Sequence, residues 1–510
     1  MSRSKTVYIA IIFNFIFQLV NFSYKFLVTP FLLGAWGDIR YGEWLVLFSF
    51  ISSVSLLNFG IAKFYGNNLR KLYLNSKTEE YKTLLSEAII LAFMIFILIG
   101  ISLYFLIDTV NLVAILNINE WPREDVNLAI WFLGLSIAGS IFLEIISYLY
   151  VSVGKYSVQP ILSSLNLLVQ LVLIIILSYF GAGIITMSLI ILGSVLTITA
   201  IALITFVMKF PDLIPNRIHF NIGDIKSSIS TSSYFQLITF SQFFVLQGSV
   251  LLISNHLGAA IVSLFVITRT ITSGLGRQVI QIINHSVWPE LTSLFAEKNY
   301  TRLRLLHNIL SKISIILTTF FILFTLLFID DIFNIWLSTD KYLDYTLIGL
   351  LLGYLIVLYT WIPSSFILMA NNDVKALGIL SIISSMSFLL FSYFFLPKIE
   401  IYGVIFIMII VDLFFMTYKI PQIACDKIFS NKLNFFIQMF KLFIPSIIIL
   451  LIFFIYFIDQ IKTFDFIFKL FIAITISMTL IIYFIKFTMT TYEKKYLQDK
   501  FRKIYMKVRK

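Results

Sequence analysis

Four polar residues near the amino terminus, Asn14, Gln18, Asn21 and Lys25, are spaced four, three and four apart, so a helix places all of them on one face. Further along, Arg269, Ser273, Arg277 and Gln281 recur at intervals of four, a stripe that drifts slowly around a helix. Both sets lie in otherwise apolar stretches. A charge near a bilayer centre costs about 2.5 to 3.5 kcal/mol on insertion scales, so each cation asks for a partner or a watery cavity. Lys25, Arg269 and Arg277 therefore read as cavity lining, with snorkelling to an outer interface the alternative for Lys25. Two acids sit in similar surroundings. Glu144 shares a stripe with Ser136, Ser140 and Ser147, and Asp412 lies in a later apolar run. Each can exchange a proton or help bind sodium, as a coupling-ion site, or can form a fixed salt bridge; composition does not choose. A further polar stripe, Gln159, Ser163, Asn166 and Gln170, is suited to interhelical hydrogen bonds or to lining a cavity.

Other chemistries find little support. One cysteine, Cys425, excludes an intrachain disulfide framework, and His219, His256, His285 and His307 lack metal-site spacing. No metal, catalytic group or bound cofactor is expected beyond H+ or Na+. The acidic pair Asp330-Asp331 reads as a solvated helix end, because no base or metal cluster accompanies it. Lys469 and Lys486 read as snorkelling helix-end residues, and Glu43 as one that reaches water near an outer interface.

The elements that must carry these residues are membrane helices. Of the 510 residues 59% are hydrophobic and 13% charged, with a mean hydropathy of +0.96. An all-α polytopic chain of about fourteen spans follows, since each span needs about twenty apolar residues. The runs lie near 7–33, 41–62, 87–107, 127–150, 158–180, 184–208, 229–255, 260–284, 309–329, 345–370, 376–396, 401–420, 442–458 and 466–487. The first run is longer than a signal-peptide core and lacks a clear cleavage site, so it is expected to be retained.

Loops alternate in charge. Those on the amino-terminal side hold most of the lysines and arginines, whereas the opposite loops carry only Arg40, Arg123, Lys341, Lys398 and Lys462. By the positive-inside rule both termini are cytoplasmic, and the basic tail from Lys486 to Lys510 can meet anionic headgroups. The formal charge of +12 is thus a matter of topology, and no nucleic acid is implied.

Short echoes indicate an internal repeat. Leu33-Gly34 matches Leu257-Gly258, Ser178-Tyr179-Phe180 matches Ser392-Tyr393-Phe394, and Tyr81 matches Tyr300, at nearly equal offsets. The implied organisation is an amino-terminal lobe of six helices (1–210), a linker (211–228), a second six-helix lobe (229–420), two extra helices (421–487) and a basic tail (488–510). Both lobes begin on the same side, so they form a parallel pseudo-repeat that can rock around a central cavity.

The segment Leu33-Gly34, Tyr41-Gly42-Glu43-Trp44, Asn58-Phe59-Gly60 resembles the opening pattern of polysaccharide exporters. In the second half His256-Leu257-Gly258, Arg269 and Trp288-Pro289-Glu290-Leu291 resemble that family's second-lobe pattern. The family lies within the multidrug, oligosaccharidyl-lipid and polysaccharide (MOP) exporter superfamily, and the O-antigen (Wzx) flippases are its most similar members. The resemblance covers most of residues 1 to 420. It implies a MATE-like architecture in a bacterial inner membrane and a flippase for undecaprenyl-pyrophosphate-linked oligosaccharide, one of whose partners could be other polysaccharide assembly proteins.

On that basis Lys25, Arg269 and Arg277 attract the pyrophosphate. Asn14, Gln18, Asn21, Asn166 and Gln170, with Tyr354 and Tyr359, offer hydrogen bonds and flat faces to sugars. The chain departs from the pattern at Asn58 and Gln247, where the family often has acids, so ion coupling does not carry over there. Alternatives are a multidrug or cation exporter, which wants a predominantly acidic or apolar cavity, and a membrane glycosyltransferase, ligase or polymerase acting on lipid-linked sugars.

Overall fold

The computed structural model describes residues 3–58, 61–215, 234, 236–338, 341–452, 464–491 and 493–494; all of these that are regular are helical. Much of the expected linker, the loop containing Lys462 and most of the basic tail lie outside the described residues.

Twelve segments among the described residues are long and apolar enough to cross a membrane. Two of them bend sharply, and each bent segment carries two of the expected spans. Helix α1 (Arg3–Ile51) breaks at Gly37, whose φ of 75° and ψ of 175° lie in a region essentially reserved for glycine. The same conformation returns at Gly258 (φ 84°, ψ 170°), between the seventh and eighth expected spans. The turn near the first echo thus falls at Gly37, three residues past the Gly34 that the sequence pairs with Gly258.

The chain forms two compact units, 1–266 and 267–510. In the first, α1 is followed by α2 (Ile61–Leu74), α3 (Thr78–Thr109), the short α4 (Leu112–Ile115), α5 (Arg123–Ser152), α6 (Val158–Tyr179), α7 (Ile184–Lys209), α8 (Gln236–Leu257) and most of α9 (Ala259–Arg269). Its core runs along α5, where Leu143, Ile146, Leu149 and Tyr150 pack on Tyr81, Leu85 and Phe206. Two hydroxyls fix the register: Tyr150 donates to the Ala202 carbonyl at 2.8 Å, and Tyr81 and Ser152 share a bond of 2.7 Å. A Cβ on Gly42 would fall 1.9 Å from the Ala259 carbonyl oxygen, so only glycine lets α1 and α9 approach this closely.

Glu43 does not reach water. Its carboxylate is buried and accepts the backbone N–H groups of Asn119, at 2.6 Å, and Glu120, at 2.9 Å. Burying a charge requires such partners, and the loop before α5 provides them. Trp36, Trp44 and Trp121 pack edge to face beside it, and Arg40 lies 5.1 Å over the Trp121 ring.

The second unit contains α10 (Leu275–Ala296), α11 (Tyr300–Leu337), α12 (Tyr345–Ala370), α13 (Lys375–Asp412), α14 (Lys419–Lys427), α15 (Lys432–Ile452) and α16 (Phe466–Tyr483). Helix α13 bends at Glu400, a non-glycine residue at φ 55° and ψ −157°. Helix α11, long and largely buried, packs against α10, α12, α15 and α16.

Two ion pairs join α11 to the end of the chain. The fully buried Lys312 ammonium contacts the Glu493 carboxylate at 2.8 Å and donates to the Thr488 carbonyl at 2.8 Å. Lys469 pairs with Asp331 at 2.6 Å. Lys469 is thus not a snorkelling residue, because its side chain is only 3% exposed and its charge is met by a carboxylate. Asp331 is correspondingly an ion-pair member, and Asp330 accepts a hydrogen bond from the Tyr345 hydroxyl.

Candidate functional site

In the second unit the polar residues of several elements converge. The stripe expected to drift from Arg269 to Arg277 does not. Between them Thr270–Gly274 forms a π turn, closed by hydrogen bonds one residue longer than those of an α-helix. Eight residues of plain α-helix would leave Arg277 about 80° around from Arg269. The extra residue in the wide turn takes back roughly 100°, bringing both side chains to within about 20° of one another. The two guanidinium groups accordingly lie close enough to repel each other. Both are half-buried.

Across from Arg277 lies Asp412, the last residue of α13 before a second π turn, Leu413–Thr417. Its buried carboxylate accepts the Ser384 hydroxyl at 3.0 Å and the Tyr354 hydroxyl at 3.2 Å. The indole of Trp361 approaches the same carboxyl. Tyr354 is also within reach of the Arg277 guanidinium, and the charge of Arg277 is the one felt at Asp412. A chain of contacts thus runs Arg269, Arg277, Tyr354, Asp412, Ser384, drawn from α9, α10, α12 and both halves of α13.

Tyr354 and Tyr359 are not positioned to meet sugars. Tyr354 is 3% exposed and committed to Asp412, while Tyr359 is fully buried and donates to the Arg277 carbonyl at 3.1 Å. Tyr359 thereby ties α12 to the backbone at Arg277. Gln281 lies where its side chain is outside the described residues.

The candidates of the first unit form two groups. Asn14 and Lys25 are exposed on α1, and Gln18 and Asn21 are half-buried between them. The stripe extends one step further than expected, to Thr29, whose hydroxyl donates to the Lys25 carbonyl at 3.0 Å and meets the Tyr41 hydroxyl at 3.1 Å. Continuing the four-residue interval past Lys25 would have found it. On α6 the Gln170 amide donates to the Asn166 side-chain carbonyl at 3.3 Å, with Gln170 buried and Asn166 half-buried.

Glu144 is half-buried on α5, one turn from Tyr148. Its neighbours Ser136, Ser140 and Ser147 each donate to a carbonyl of their own helix, which satisfies them without a ligand. An open cavity of about 430 Å³ between α6 and α7 is lined by Val169, Leu173, Leu189, Ile190 and Gly193; being almost wholly apolar, it offers no polar chemistry.

Comparison with solved structures gives the fold. An inward-facing multidrug-resistance MATE transporter of the MOP superfamily superposes with a TM-score of 0.64 over 85% of this chain and 98% of that one, at 15% identity. The lipid II flippase MurJ, in an inward closed conformation, gives 0.66 over 93% of this chain and 98% of that one, at 14% identity. A MOP transporter from Pyrococcus furiosus, reported for the reversed polarity of its binding pocket, gives 0.58 over 87% and 97%, at 15% identity. No protein-family model matches the sequence, and no curated protein matches it. The chain therefore has the all-helical fold shared by MATE-type exporters and MurJ.

Proposed function

We propose that this protein is a flippase that moves an undecaprenyl-pyrophosphate-linked oligosaccharide, such as an O-antigen repeat unit, from the cytoplasmic to the periplasmic leaflet of a bacterial inner membrane. The supporting observation is the pairing of Arg269 and Arg277 on one stripe by the intervening π turn. Two mutually repelling guanidiniums inside a membrane fold make surroundings that favour an anion, and Asp412 lies near the second of them, Arg277. A pyrophosphate carries the charge such surroundings favour and suits the forked donors of arginine.

Lys25 adds a third cation on α1, and Asn14, Gln18, Asn21, Asn166 and Gln170 offer donors and acceptors to sugars. The two lobes alternate access, both termini face the cytoplasm, and Glu144 or Asp412 couples transport to H+ or Na+. A cationic-drug exporter shares the fold, but a cation gains nothing from the repelling arginine pair.

The test is export. In cells lacking the endogenous flippase, Arg269→Ala and Arg277→Ala are expected to cut surface polysaccharide at least tenfold at normal protein levels. Unchanged export in both variants would refute the phosphate contact.

A further inference from the structure

Arg277 is already engaged. Its guanidinium is within reach of the Tyr354 hydroxyl, Tyr354 donates to Asp412 at 3.2 Å, and Ser384 holds the other carboxylate oxygen at 3.0 Å. Opposite charges attract, so this arm draws Arg277 toward α13 and weakens its field toward any other anion. Arg269 has the reverse effect: it repels Arg277 and strengthens the pull on a shared anion.

Arg277 stands three residues after one π turn, and Asp412 directly precedes another. Such turns hold a surplus residue, and absorbing it rotates the following side chain by roughly 100°. The backbone beside both charged groups thus has room to alter their alignment.

We propose that Asp412 is a built-in competitor for the anionic headgroup: through Tyr354 it holds Arg277 when the site is empty, yields it when a phosphorylated lipid arrives, and reclaims it to drive release. Asp412 and Tyr354 thereby act as positioning residues, tuning how tightly the headgroup is held. The inference rests on the proposed pyrophosphate contact. A transporter that binds too tightly cannot unload, so weakening the site on purpose raises the rate of transfer.

The experiment separates affinity from transport. Full-length protein in nanodiscs is titrated with undecaprenyl pyrophosphate, the headgroup without its sugar, and export is measured in cells. Asp412→Asn keeps the shape of the side chain and one of its two accepting oxygens but removes the charge. It is expected to tighten binding about tenfold while export falls. Tyr354→Phe, which cuts the link between the two charges, should move both readouts in the same directions by a smaller factor. Ser384→Ala leaves the counter-charge in place and should leave affinity within about twofold. Asp412→Glu should restore near-normal affinity.

Should Asp412→Asn bind the probe no more tightly than the unaltered protein, the competitor role is overturned. If instead Arg277→Ala binds the probe normally, the pyrophosphate contact itself is overturned, so the two failures are distinguishable. A general folding defect would weaken binding in every variant, which is the opposite of the tightening expected for Asp412→Asn.

Discussion

Replacing Lys312 with methionine is expected to destabilise the second unit sharply, although the residue lies far along the sequence from the carboxylate it meets. Lys312 is fully buried, and Glu493 is 3% exposed. Both carboxylate oxygens accept from the ammonium, at 2.8 and 3.0 Å. Glu493 also accepts the Thr490 N–H at 2.8 Å, while the Thr490 hydroxyl accepts the Glu493 N–H at 3.3 Å. That reciprocal pair is a capping box, so the carboxylate is fixed in place and cannot swing out to water when its cation disappears. Breaking a buried pair from one side leaves an uncompensated charge and costs about 3 to 5 kcal/mol.

A unit of this size loses about 2 to 4 °C of melting temperature per kcal/mol, so Lys312→Met should melt roughly 10 °C lower. Cys425, buried in α14, is the chain's single cysteine, and a thiol-reactive fluorescent dye therefore reports unfolding of this unit directly. The double variant Lys312→Met with Glu493→Gln removes both charges and should recover at least half of the loss, since apolar or neutral substitutes for a whole buried pair are often tolerated. A single variant that melts with the unaltered protein, or a double variant no better than the single, would refute the reasoning.

Two backbone predictions also concern melting, followed by helical circular dichroism for the first unit and by the dye for the second. Gly37→Ala and Gly258→Ala add a Cβ with nothing within 4 Å at either position, so any loss must come from φ of 75° and 84° alone; a cost of about 1 to 3 kcal/mol is expected. Gly34→Ala meets equally open space in ordinary helix and serves as the control, expected to be neutral or stabilising by up to ~1 kcal/mol. Glu400→Gly relieves a non-glycine residue at φ 55° and should raise the melting temperature by a few degrees. A lower melting temperature for Glu400→Gly would show that the conformation is not strained.

The spans were legible because hydrophobic length is a local property, written in each run of apolar residues. Their ends were less so. Helix α3 starts at Thr78, ahead of the expected 87, and α11 runs from Tyr300 to Leu337 around an expected 309–329, because helices continue past the apolar stretch where water still solvates their polar turns. The amphipathic α2 was hidden in a basic loop.

The site was legible in its residue types and not in its arrangement. Arg269 and Arg277 stood out as cations in apolar sequence, yet the π turn that aligns them leaves no mark in spacing alone. Asp412 was visible as a buried acid, but its link to Arg277 through Tyr354 joins residues far apart in the chain. Lys469 reads in sequence as a snorkelling cation, because position near a helix end says nothing of what an opposing helix brings.

The two ion pairs on α11 stand about nineteen residues apart, or ~28 Å at the helical rise, which is close to the depth of a bilayer's hydrocarbon slab. Glu493 and Lys469 therefore clasp the chain to α11 at two points about one hydrocarbon thickness apart.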